Sequence, residues 1–307
     1  MRVVADLLDH PIEEDGLVLT IGSFDGVHRG HQAILEEVVR TARENNGTAA
    51  VVTMRPHPRQ FFTPDDPPNL LTAPGKKEAL FEAAGVDLLI FLRFDAHIAN
   101  LDRTSFVREI LHERCRARHI VIGHDFCFGK DASGDYTFLD AIGPEYGFDV
   151  KRMPPLLVDG ERASSTRIRE LVLQGDLDRA ARFLGRRYAI TGQVVAGRGI
   201  GAKLGFPTAN VRPFHNAVPA QGVYAAQALL ADGTRHTAAV NIGIAPTIRQ
   251  EDLTIEAHLL DFQGELSGQK IEVEFHHRLR PEQKFPSPEA LIAQIGQDVE
   301  AVRTHFA

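Results

Sequence analysis

The 307 residues predict two modules of different class: an α/β half built on a Rossmann-like parallel sheet, then a mainly antiparallel β-barrel with one terminal helix. Three observations carry this expectation. The length suits roughly two domains. Up to Gly185, short apolar runs alternate with helical patterns, as in a parallel sheet covered on both faces. Beyond Gly185, strand patterns follow one another with Gly, Pro and Asp between them, as in an antiparallel barrel.

In the first half, Leu17 to Ile21 reads as a strand. Residues 29–45 read as a helix, with Ile34, Leu35, Val38, Val39 and Ala42 on one face. Ala49 to Thr53, Val86 to Leu92 and Ile120 to Gly123 are further strands, and two short helices follow, one after Ser164 and one from Asp176 to Leu184. In the second half, Tyr188 to Val195, Val223 to Leu230, His236 to Ile242, Leu253 to Asp261 and Ile271 to Arg278 read as strands. The last helix has Ser287 as N-cap and Pro288 at its first position. Leu291, Ile292, Ile295, Val299 and Val302 form its apolar stripe. The expected boundary falls near 184–188, giving modules 1–184 and 185–307.

Apolar residues make up 43% of the chain, enough for two hydrophobic cores. The formal net charge of -7 argues against a sequence-independent nucleic-acid binder, while leaving room for a few cations to hold a small anion. Cys115 and Cys127 form neither a CxxC motif nor a disulfide framework. The first residues lack a signal-peptide apolar region, and no apolar run approaches the ~20 residues needed to span a bilayer. The expectation is a soluble, cytoplasmic protein.

The segment TIGSFDGVHRGHQAIL follows the first strand and opens the first helix. Ligands of parallel sheets bind at the carboxyl ends of strands, and a helix start there offers N–H groups to an anion. His28 and His31 are three apart and share a helix face. Such a pair can donate hydrogen bonds to phosphate oxygens that gain charge in a transition state. Gly26 and Gly30 allow tight turns and close backbone approach. A histidine pair on a helix is otherwise usually structural, and zinc binding lacks an evident third ligand.

A second segment, GRGIGAKLGFPTANV at 197–211, carries Gly197, Gly199 and Gly201, whose backbone N–H groups can face phosphate oxygens. It is not a P-loop, because GxxxxGK[ST] is absent. Thr208 and Asn210 offer neutral oxygens two residues apart, a pair suited to Mg²⁺ that also keeps phosphate and water ligands. Glu256 lies in an alternating strand, with Thr254 and His258 on its face and Ile255 and Leu259 opposite.

His28, Arg29, Gly30 and His31 resemble the HxGH motif of the nucleotidyltransferase superfamily, and ASSTRIRE at 163–170 is similar to its ISSTxIR pattern. FDGVHRGH, RPHPRQFF and GHDFCFGK narrow the resemblance to the FMN adenylyltransferase module of prokaryotic bifunctional riboflavin kinase/FAD synthetases. LGFPTAN, TIEAHLLDF and LRPEQKF resemble the riboflavin kinase module of the same family, in family order.

This resemblance implies two ATP-dependent reactions, riboflavin to FMN and FMN to FAD. It implies His28 and His31 at the adenylyl-transfer site, with ATP contacts from Gly22, Phe24, Gly30, Ser165, Thr166 and Arg169. Ser165 and Thr166 would cap a helix facing the triphosphate. Phe62, Asp125 and Phe128 are implied at the flavin. In the kinase module it implies Glu256 as base, ATP contacts from Gly197, Gly199, Gly201 and Lys203, Mg²⁺ at Thr208 and Asn210, and flavin contacts from Arg280 and Phe285. Ser23, Arg55 and Ser267 depart from the family pattern. Two other readings stay open: an HxGH transferase acting on another phosphorylated acceptor, and a flavin-binding regulator without catalysis.

Overall fold

The computed structural model describes residues 1–197, 199–215, 217–246 and 251–307. By packing, the chain divides into two compact units, Met1–Pro68 with Gly75–Ser164, and Asn69–Pro74 with Ser165–Ala307. The two helices that the sequence boundary near 184–188 leaves with the first half group with the barrel.

The first unit is built on β1 (Arg2–Val4), β2 (Leu17–Ile21), β3 (Thr48–Arg55), β4 (Leu88–Arg93), β5 (Ala117–Gly123) and β6 (Asp149–Met153), in the order β1-β4-β3-β2-β5-β6. Every pairing in this sheet is parallel. All five residues of β2 are buried, because helices cover both faces of the central strands. Strand order reverses around β2, so the crevice at its carboxyl end is a topological switch point.

The helices of this unit are α1 (Arg29–Glu44), α2 (Pro58–Phe62), α3 (Pro74–Ala83), α4 (Ala96–Asn100), α5 (Arg103–Phe106), which continues as a π-type stretch over Val107–Arg114, and α6 (Tyr136–Tyr146). Leu35, Val38 and Ala42 of α1 are buried, with Ile34 and Val39 packed beside Val38 and Ala42. A short hairpin, β7 (Leu157–Val158) with β8 (Glu161–Arg162), ends the unit. The edge strand β6 (DVKRM) has no buried residue, which is why no apolar run announces it.

The second unit opens with α7 (Ser165–Gln174) and α8 (Leu177–Leu184). Leu177, Ala180, Phe183 and Leu184 are buried, and α8 is capped by Asp176 and ends at Gly185, φ 73°. A closed barrel follows: β9 (Ala189–Val195), β10 (Ala209–Pro213), β11 (Gly222–Leu229), β12 (Arg235–Pro246), β13 (Glu251–Leu259) and β14 (Lys270–Arg280), ordered β10-β13-β12-β11-β14-β9. All its pairings are antiparallel. A single turn of helix, α9 (Ile200–Lys203), lies between β9 and β10, and α10 (Pro288–Phe306) ends the chain.

Ser287 caps α10 by accepting the Ala290 N–H at 3.3 Å, and Pro288 takes the first turn. Val302 packs with Ala225, Ala239 and Leu260 on the barrel wall, with Val299 beside it. Ile292 is 39% exposed, so the apolar stripe is narrower than the sequence suggests. At about 100° per residue it falls beside Leu291 and off the packed face.

Candidate active sites

In the first unit, the loop from β2 to α1 is tightly wound. The Gly22 N–H donates to the Val52 carbonyl at 3.0 Å. Phe24 and Val27 adopt left-handed φ values of 49° and 40°, and Gly26 has φ 86°. A β-branched residue in that region is strained, and such strain clusters where surrounding structure holds a functional loop in place. Lys77 is one of those holds. Its ammonium donates to the Ser23 carbonyl and to Thr53 Oγ1, both at 3.2 Å. Burial pulls its pKa down to about 8, against the upward pull of Asp25.

His28 is the N-cap of α1, and its Nδ1 accepts the His31 backbone N–H at 3.3 Å. The two imidazoles stack with centroids 3.6 Å apart, and Phe24 meets His31 edge-on at 5.0 Å. Gly30 is required by this stack, since a Cβ there would lie 3.1 Å from the His28 ring. The structure thus brings Phe24, His28, Gly30 and His31 together at the switch point.

A cavity of about 470 Å³ opens at the same sheet end, lined by Ile21, Met54 and Leu92 at the strand ends and by a ring of phenylalanines. Phe62 is 62% exposed and meets Phe61 and Phe94 edge-on at 5.4 and 5.7 Å. Phe128 is buried against Phe106 and Phe126, so it serves packing and lines the cavity at once. Asp125 lies outside this lining and pairs with Arg162 at 2.8 Å. Phe61, Phe94, Phe106 and Phe126 are lining residues that sequence reasoning missed, because a phenylalanine in an apolar string reads as core. Arg55 lies over the Phe91 ring at 3.7 Å and pairs with Glu78, so its departure from the family pattern has a packing role.

In the second unit, α7 begins at Ser165. Ser165 and Thr166 are therefore its first two helical residues, and the capping position falls one residue earlier than their expected role. Arg169 donates from Nε to the Asn69 carbonyl at 2.7 Å.

A second cavity, of about 350 Å³, lies between the outer wall of the barrel, the start of α10 and the segment around α9. Gly201, Thr208, Glu256, Arg280 and Phe285 all line it. Strand alternation explains Glu256: Ile255, Ala257 and Leu259 are buried in the barrel, so Thr254, Glu256 and His258 take the other face. Asn210 is directly opposite Glu256 across β10–β13, although it lies outside the cavity lining. Gly197 packs against the Asn210 amide so closely that a Cβ there would collide with it, and one at Gly201 would strike the Phe206 carbonyl. Gly199 and Lys203 are exposed and outside the lining, and Arg198 lies outside the described residues.

Arg280 is fixed from behind. Its Nε and Nη2 donate to the Asp298 carboxylate at 2.9 and 2.7 Å, and the Gln294 amide adds a bond to Asp298 at 3.0 Å. Asp298 is buried, as a paired carboxylate can be. The Arg280 guanidinium stands 5.6 Å from the Phe285 ring centre. Asp298 and Asn241, both lining residues, were not singled out from sequence; each is a polar residue inside an apolar pattern.

An α/β unit with a histidine pair at its switch point, joined to a barrel with a carboxylate-bearing cavity, defines a two-site enzyme. Residues 10–167 match the FAD synthetase family model, and residues 184–306 match the riboflavin kinase model. The chain is 40% identical over 304 residues to the bifunctional riboflavin kinase/FMN adenylyltransferase of Pseudomonas fluorescens, covering 99% of this chain and 97% of that one. It is 37% identical to the protein of the same name from Escherichia coli K12, covering 95% and 94%. A Streptococcus pneumoniae crystal structure described as a macrolide-efflux protein superposes with a TM-score of 0.87 at 28% identity, over 98% of both chains. Among the described residues, no helix of this chain is long and apolar enough to cross a membrane. The chain belongs to the bifunctional riboflavin kinase/FMN adenylyltransferase family.

Proposed function

We propose that this chain phosphorylates riboflavin to FMN at the barrel cavity and adenylylates FMN to FAD at the α/β cavity, consuming one ATP in each reaction. The observation that carries this reading is that the matched motifs converge in each unit: Gly201, Thr208, Glu256, Arg280 and Phe285 on one cavity, and Phe24, His28, Gly30 and His31 at the sheet end beside the other.

In the kinase reaction Glu256 accepts the proton of the primary hydroxyl as its oxygen bonds to the γ-phosphorus and ADP departs. The backbone at Gly197, Gly199 and Gly201 and the Lys203 ammonium are assigned to the ATP phosphates. Arg280 and Phe285 border the flavin. Thr208 and Asn210 fit Mg²⁺ as hard, neutral oxygen donors, and the ion would neutralise phosphate charge.

In the adenylyl reaction the FMN phosphate oxygen attacks the α-phosphorus of ATP and pyrophosphate leaves. His28 and His31 donate hydrogen bonds to the oxygens that gain charge. Gly22, Phe24 and Gly30 shape the loop for ATP, and Phe62 and Phe128 hold the flavin ring. We assign Asp125 to the rim of that site. Ser165, Thr166 and Arg169 are assigned to ATP as the matching family motif implies. We place the module boundary at 184–188, between the end of α8 and the start of β9. We assign the reactions to the cytoplasm, in keeping with two free thiols, one of them exposed.

The two half-reactions are separable by their by-products. Given FMN, ATP and Mg²⁺, the protein should release one pyrophosphate per FAD, and given riboflavin it should release ADP. Folded protein that makes no pyrophosphate from FMN would remove the adenylyl half of the reading and leave the kinase half standing.

A further inference from the structure

Asn241 lies on β12 directly opposite Glu256 of β13, while Asn210 of β10 is directly opposite Glu256 on its other side. Directly opposed residues of an antiparallel pair share a face, with Cβ atoms about 4.5–5.5 Å apart. Glu256 is thus flanked by an amide on each neighbouring strand. The row continues from Asn241 to Val223 and from Val223 to Arg280, and all four residues from Glu256 to Arg280 line the barrel cavity.

Position 241 has no evident packing reason to be polar. Its neighbours on the same wall, Ala239 and Val223, are apolar and buried. The Asn241 side chain is half-buried, and among the described residues it makes no hydrogen bond or ion pair. A partly buried amide on a cavity wall, with its donors and acceptor unused by the protein, is available to a ligand.

We propose that Asn241 positions the phosphoryl acceptor, its amide hydrogen-bonding the acceptor's neutral polyhydroxyl chain so that the primary hydroxyl rests against Glu256. This rests on the kinase reading above. In the step it supports, the hydroxyl proton passes to the Glu256 carboxylate, the oxygen–γ-phosphorus bond forms, and the bond from that phosphorus to the bridging oxygen of ADP breaks. An amide suits the place because it donates and accepts without adding charge.

The test compares full-length Asn241→Ala, Asn241→Ser and Asn241→Asp with the wild type and with Glu256→Gln. Asn241→Ala should lower kcat/KM for riboflavin about 10-fold, the scale of one lost hydrogen bond, with KM for ATP and the conversion of FMN to FAD unchanged. Asn241→Ser, which keeps a hydroxyl, should recover part of that loss. Asn241→Asp, which keeps the size of the side chain but loses the amide donor, should also lower kcat/KM for riboflavin. An Asn241→Ala protein with wild-type kcat/KM for riboflavin overturns the inference, as does equal loss toward riboflavin and ATP, which is the mark of a purely structural role. If the alanine variant fails to fold, wild-type kinetics in both remaining variants overturn it instead. Full kinase activity in Glu256→Gln would sink the base assignment itself. An impaired Glu256→Gln beside an unaffected Asn241→Ala would sink only the role of Asn241.

Discussion

Glu256→Gln should lower riboflavin phosphorylation by about 10²–10⁴, the usual range for removing a general base. The substitution keeps the size of the side chain and a hydrogen-bonding amide, but it cannot take a proton at ordinary pH. Glu256 makes no hydrogen bond or ion pair among the described residues, so no structural bond is lost with the charge. The effect should fall on kcat, with KM for ATP nearly intact, because the role proposed for Glu256 is on the acceptor hydroxyl. Conversion of supplied FMN to FAD should be unchanged, since that reaction is assigned to the α/β cavity. Rapid-quench measurement of FMN formation, under conditions where chemistry limits turnover, checks this. A wild-type rate would remove Glu256 from the mechanism.

Replacing both histidines of the β2–α1 loop should have an effect at least as large on the other reaction. Removing one donor that stabilises developing charge costs about 10²–10³ in rate. His28 is also the N-cap of α1, so His28→Ala would cost roughly 1 kcal/mol of helix stability besides its chemistry. Asparagine retains a capping oxygen, and the informative variant is therefore His28→Asn with His31→Ala. FAD formation from FMN should fall by about 10³ or more, while riboflavin phosphorylation persists at the wild-type rate. Equal loss of both activities in a folded protein would show that the reactions are not divided between the two cavities as assigned.

Much of this architecture was legible in the residues. β2 (LVLTI) and β4 (LLIFLR) are almost continuously apolar because both faces are covered, and that run is their signal. Ser287 and Pro288 marked the start of α10 because capping chemistry is local. What escaped notice depended on neighbours distant in sequence. The edge strand β6 is polar and finds its partner only in space. β10 begins after Pro207 and alternates polar with apolar residues, so the PTAN string announced a motif without announcing a strand. The place of Asn241 beside Glu256 is a matter of register between β12 and β13, and Asp298 matters through a guanidinium 18 positions away. The phenylalanine ring around the first cavity was half visible. Phe62 and Phe128 stood in motif strings, whereas Phe94 and Phe106 gain meaning only from the wall they share.

The most direct measurement of the central assignment is a time course of the purified protein with riboflavin, ATP and Mg²⁺, with riboflavin, FMN and FAD separated at each point. Two sites, acting in the order kinase then adenylyltransferase, predict that FMN rises first, with ADP, and that FAD follows, with pyrophosphate. Folded protein that forms neither FMN nor FAD would contradict the assignment.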